Sequence, residues 1–69
     1  MNGYHIEPIS KGLVRVHEDV ASYDLSEQDI QEAIAQVQAH RSQYATPLAY
    51  QRRLDFFQDA LNVAQGKVA

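Results

Sequence analysis

The side chains best suited to gripping another molecule crowd into one stretch, His40-Arg41-Ser42-Gln43-Tyr44-Ala45-Thr46-Pro47-Leu48-Ala49-Tyr50-Gln51-Arg52-Arg53. It holds three of the four arginines and two of the four tyrosines. Arginine with tyrosine suits phosphate contact and base stacking. The same pair is enriched at the energetic centres of protein–protein interfaces. Arg41, Tyr44 and Arg52 are therefore candidate contact residues. Arg53 joins them, because it falls inside the apolar arc of a helix described below. Its bland role would be to lay its aliphatic stem over apolar surface, with the guanidinium reaching water or an acid such as Glu18 or Asp19.

Other chemistry has weaker support. His5, His17 and His40 contain no close pair such as H-x-x-x-H, the spacing that helps converge ligands on one metal. His5 and His17 are expected to face each other across a hairpin, near Glu7 or Glu18. Asp55 and Asp59 stand four apart on one helical face, but paired carboxylates do acid–base work only in a pocket that shifts a pKa. That face is expected to be solvated. Ser10, Ser22, Ser26 and Ser42 lack a nucleophile-elbow context. The three glycines are scattered and form no phosphate loop. With no Cys there is no thiolate metal site, Cys nucleophile or disulfide. The expectation is a non-enzymatic chain without a metal or cofactor.

The elements that must position the Arg/Tyr stretch are legible. Ser26 is a good helix N-cap, with Asp29 placed as in a capping box and Leu25 and Ile30 placed as a hydrophobic staple. Glu27, Asp29 and Glu32 suit the positive end of the helix dipole. Ile30, Ala33, Ile34, Val37 and Tyr44 form a narrow apolar stripe, predicting a first helix over 27–43. Thr46 caps a second helix with Pro47 at its first position, and Gly66 marks its end, predicting 47–65. Its residues Tyr50, Leu54, Phe57, Leu61 and Ala64 follow a helix-pair seam. A second row, Phe56, Ala60 and Val63, widens the apolar arc to about half the circumference, more than one partner helix needs, so that part of it could cover the hairpin and the rest could meet another chain. Phe56, Val63 and Arg53 on this extra face are candidates for contact with another chain. The short joint at 44–46 makes the helices antiparallel neighbours.

Residues 4–17 read as a β-hairpin. Tyr4–Ile9 and Leu13–His17 roughly alternate apolar and polar residues around Ser10-Lys11-Gly12. Pro8 cannot donate to a ladder, so the first strand should be an edge strand or bulged there. Residues 18–25 show no clear period and read as a loop. The fold class is α+β, an N-terminal β-hairpin followed by an antiparallel two-helix hairpin in one domain over 1–69.

Length and charge bound the function. A chain of 69 residues buries only about 60% of its unfolded surface, and oligomerisation is a common remedy at this size, so a homodimer is open. Residues 1–39 carry seven acids against two bases, net −5, whereas residues 40–69 carry four bases against two acids, net +2. The halves can neutralise each other. Overall acidity disfavours a generic nucleic-acid binder, and Asp55 and Asp59 on the outward face of the second helix disfavour a helix-turn-helix reader. No apolar run approaches the about 20 residues of a membrane helix, and the first five residues lack an export signal's pattern, so the expected location is cytoplasmic. The expected function is protein–protein interaction, as a small regulator, adaptor or inhibitor of a larger complex. The alternative is a nucleic-acid-associated regulator that uses the Arg/Tyr joint.

Overall fold

The computed structural model describes residues 4–67. Three strands, β1 (His5–Ser10), β2 (Leu13–His17) and β3 (Ser22–Ser26), form an antiparallel sheet in the order β1-β2-β3. Two helices, α1 (Glu27–Ala39) and α2 (Pro47–Ala64), cover one face of it. This is the expected α+β architecture with one strand more. β3 falls where a loop was predicted. Its sequence, Ser22-Tyr23-Asp24-Leu25-Ser26, alternates polar and apolar residues, and Tyr23 and Leu25 pack against the core.

The hairpin is bent where Pro8 requires it. β1 lies at the sheet edge, and its register with β2 shifts between Pro8 and Ser10. Gly12 occupies the turn at φ +78°, a left-handed conformation that side-chain-bearing residues adopt at a cost. Its position joins the two layers. The Gly12 N–H donates to the Ala64 carbonyl at the end of α2, and its carbonyl accepts from Glu27 N–H at the start of α1. Each bond satisfies a helix-terminal group that has no partner within its own helix.

Both helices begin as their sequences dictate. Ser26 and Asp29 complete a reciprocal capping box, with Asp29 N–H donating to Ser26 Oγ at 3.2 Å and Ser26 N–H to Asp29 Oδ2 at 3.1 Å. Ala49 N–H donates to Thr46 Oγ1 at 3.1 Å, and Pro47 takes the first position of α2. α2 stops at a Schellman motif: Gly66 at φ +76° donates to Val63 and Lys67 to Asn62. α1 ends at Ala39, short of the predicted residue 43. His40 leaves helical geometry at φ −108° and ψ 27°, and Arg41–Gln43 form a separate 3-10 turn.

The core lies between the layers. Val14 and Val16 from β2, Ile30 from α1 and Ala60 from α2 are fully buried, with Val37, Phe56, Phe57 and Ala64 around them. The second apolar row of α2 thus has an occupant within the chain. Phe56, expected on an outward face, is only 4% exposed, because the sheet needs a cover and α2 supplies it. Tyr4, just ahead of β1, packs edge-on to the Phe56 ring at 4.7 Å.

Candidate interaction surface at the helix joint

The joint is compact because each backbone step is satisfied locally. Both the His40 N–H and its Nδ1 lie within hydrogen-bonding distance of the Gln36 carbonyl, so this histidine closes the end of α1. Gln43 N–H donates to His40 and Tyr44 N–H to Arg41, which tightens the chain into the 3-10 turn. Tyr44 and Thr46 are then extended, and α2 starts at once. The turn swings Arg41 over the first turns of α2, with its guanidinium carbon 5.1 Å from the Tyr50 ring centre. Tyr44 meets Tyr50 edge-on at 5.7 Å.

Arg53 is placed by helical periodicity. It precedes Phe56 by three residues and Phe57 by four, so all three share a face of α2. Its guanidinium carbon stands 5.2 Å from the Phe56 ring centre and 4.9 Å from that of Phe57. A cation over an aromatic face gains roughly 0.5–1 kcal/mol at an exposed site. The two rings also restrict where the planar fork can point.

Three open hollows surround this joint, and Tyr44 lines them all. The first, about 500 Å³, lies between Arg41, Thr46 and Tyr50. The second, about 430 Å³, is bordered by Val37, His40, Arg53 and Phe57. The third, also about 430 Å³, is bordered by Tyr4, Glu18, Ala49, Arg52, Arg53 and Phe56. Arg53 separates the second from the third. Leu48, in the first turn of α2, is 59% exposed beside them.

The electrostatics of the joint are unbalanced. Among the described residues, no carboxylate comes within the 4.0 Å of an ion pair to Arg41, Arg52 or Arg53. Glu18 is the acid that borders the third hollow. The Tyr23 phenol reports the local field: burial pushes its pKa up, the Glu18 carboxylate pushes it further, and Arg53 pulls it down. Tyr4 is likewise raised, first by burial and then by its 2.9 Å hydrogen bond to Asp59 and the charges of Asp59 and Asp55.

The outer face of the sheet is a second polar surface with the opposite character. His5 pairs with His17 in register, as expected, and their rings stack at 5.8 Å. His17 Nε2 lies 2.8 Å from Glu7 Oε1. Arg15 donates to both carboxylate oxygens of Asp24 across β2 and β3, at 2.8 and 3.3 Å. The hydrogen bond from His17 holds Glu7 below the usual carboxylate range, and that from Arg15 does the same for Asp24. Among the described residues no group of three His, Cys, Asp or Glu could hold a metal ion.

The structure therefore brings together Arg41, Tyr44, Arg52 and Arg53, with Phe56 buried beneath Arg53. Val63 is apart from them. It is half-buried and lines a hollow near Pro8 and Gly66, towards the other end of α2. Tyr4 was not anticipated at this surface, whereas Glu18 was named as an acid within reach of Arg53 and does border the same hollow. They lie far from the joint in sequence and arrive only because β1 starts, and β2 ends, beside α2. Asp55 and Asp59 are exposed, accepting hydrogen bonds from Gln51 and Tyr4 respectively. No protein-family model, curated protein or solved structure matches this chain.

Proposed function

We propose that this chain is a small non-enzymatic interaction module, a regulator, adaptor or inhibitor of a larger protein complex, which docks through the α1–α2 joint. One observation carries the reading: three guanidinium groups without an acid partner among the described residues stand among aromatic-lined hollows. Arginine and tyrosine at the centre of a concave patch are the residue types that dominate protein–protein binding energy. Phe56 is buried against the chain's own sheet and supports Arg53 from beneath. Among the described residues no helix is long and apolar enough to cross a membrane, and a cysteine-free chain has no need of an oxidising compartment, so the cytoplasm is the proposed place of action.

The test is an affinity pull-down from host lysate with nuclease present, comparing the natural chain with Arg41→Gln/Arg52→Gln/Arg53→Gln. A defined protein captured by the first and lost by the second supports the reading. Equal capture by both removes the joint from the mechanism. Guanidinium groups over tyrosine also suit single-stranded nucleic acid. That second reading predicts partners that vanish with nuclease and binding that weakens steeply with salt.

A further inference from the structure

We infer that Arg53 is a receptor for a side-chain carboxylate, and that the partner docks through an acidic segment carrying a bulky apolar residue beside the acid. This inference rests on the joint being a protein-docking surface and specifies what that surface takes.

Arg53 is held in place before any ligand arrives. Most exposed arginines must give up rotamer freedom when they bind. Here the guanidinium already lies over Phe56 and Phe57, so part of that ordering is complete before a ligand arrives. The contact is with the π-electrons of two rings whose planes lie 68° apart, and it supplies no oxygen acceptor to the guanidinium N–H groups. A planar fork of N–H donors matches a carboxylate in two parallel bonds. Among the described residues no acid occupies that position within 4.0 Å.

The surroundings select the rest of the ligand. Arg53 forms the ridge between two hollows of about 430 Å³ each. One is floored by Val37 and Phe57, the other by Phe56 with Tyr4 and Ala49. A segment crossing the ridge places its acid on Arg53 and can lodge a neighbouring apolar side chain in either hollow. Arg52 adds positive charge on the same rim.

A polyphosphate backbone fits less well. Glu18 borders the same hollow, Asp55 and Asp59 project from the same helix, and the whole chain carries net charge −3. A single carboxylate at Arg53 sets one negative charge against Glu18, whereas a row of phosphates sets several. Glu18 also gains a role. It stands within the electrostatic field that Arg53 shares at Tyr23 without forming an ion pair. It is an internal competitor that weakens the site for an incoming acid.

The experiment is to pan a random twelve-residue peptide library on the full chain and measure the enriched peptides by fluorescence anisotropy. The expected peptides carry Asp or Glu next to an aromatic or large aliphatic residue. Replacing that acid by its amide, or Arg53 by Gln, should weaken binding at least about tenfold, the effect of a charge-assisted hydrogen bond. Arg53→Lys should restore less than half of the lost binding free energy, since the ammonium lacks the fork. Glu18→Gln should tighten binding by a few fold. Arg53 and Glu18 are exposed, and unchanged circular dichroism verifies folding of each variant. Failure to enrich any peptide, or enrichment of peptides without an acid, overturns the carboxylate receptor. If the acid-free peptides still lose affinity in Arg41→Gln/Arg52→Gln/Arg53→Gln, the docking reading survives that failure. If they bind that variant unchanged, both fall. Tighter binding of a twelve-nucleotide oligo(dT) than of any enriched peptide overturns the inference in favour of nucleic acid.

Discussion

The outer sheet face and the helix joint both display arginine and aromatic rings, yet they use them differently. On the sheet, Arg15 is matched to Asp24 by cross-strand register, and Glu7 reaches His17 diagonally across β1 and β2. These groups satisfy one another, so a ligand there would have to displace existing bonds. At the joint, Arg41 and Arg53 lie on aromatic rings, and neither they nor Arg52 has an acid partner among the described residues. Cation–π contact orders a guanidinium without pairing it to a carboxylate. The difference separates a surface whose charges serve the fold from one whose charges remain on offer.

The largest expected effect tests whether the joint rests on the core. Phe56→Ala removes a buried ring that supports both Tyr4 and Arg53. Such truncations cost about 3–5 kcal/mol, comparable to the roughly 3–5 kcal/mol that the core of a domain this small supplies. Chemical denaturation should find the variant largely unfolded. A folded variant that had lost less than about 1 kcal/mol would show that Phe56 is not the support described here.

Gly12→Ala probes what holds the two layers together. A side chain at φ +78° costs about 1–2 kcal/mol, and the strained turn also carries the bonds to Ala64 and Glu27. Its denaturation midpoint should fall without abolishing folding. Both surfaces should suffer together, since this turn lies at neither.

Acid should distinguish the two regions more sharply. Glu7 and Asp24 have folded-state pKa values below their ordinary ones. Each therefore contributes stability that is present at neutral pH and lost as pH falls through the folded value. The melting temperature of the natural chain should drop more steeply through the carboxylate range than that of Glu7→Gln/Asp24→Asn. Because these groups are solvent-exposed, salt should shrink the difference. Parallel curves for the two proteins would show that the sheet pairs contribute nothing measurable.

The smallest effect on stability is expected at the joint. Arg53→Gln touches an exposed group with no ion pair among the described residues, and its change should stay within about 1 kcal/mol, the worth of an exposed cation–π contact. A larger loss, seen in the same denaturation assay, would make Arg53 a structural residue and dissolve the contrast with Arg15.

Much of this was legible in the chain. Ser26, Asp29, Thr46, Pro47 and Gly66 act locally, through bonds to residues at most five positions away, so they mark helix ends directly. Gly12 and Pro8 likewise announced the turn and the bulge. β3 was missed although Tyr23 and Leu25 alternate with polar residues, because five residues between an acidic turn and a helix cap give a short signal. The outward placement of Phe56 failed for a related reason. The width of the α2 arc was correct, but the arc is filled by β1, β2 and Tyr4 as well as by α1. Arg41, Tyr44, Arg52 and Arg53 could be grouped from sequence because one short turn connects them. Tyr4 and Glu18 reach the joint only through the tertiary path of β1 and β2, which no local pattern encodes.

The most direct test of the account is an amide-resolved NMR titration of the labelled chain with its strongest-binding peptide. The account predicts shifts confined to Tyr4, Glu18 and residues 40–57, with His5, Glu7, Arg15, His17 and Asp24 unmoved. Shifts centred on those sheet residues, with a silent joint, would contradict it.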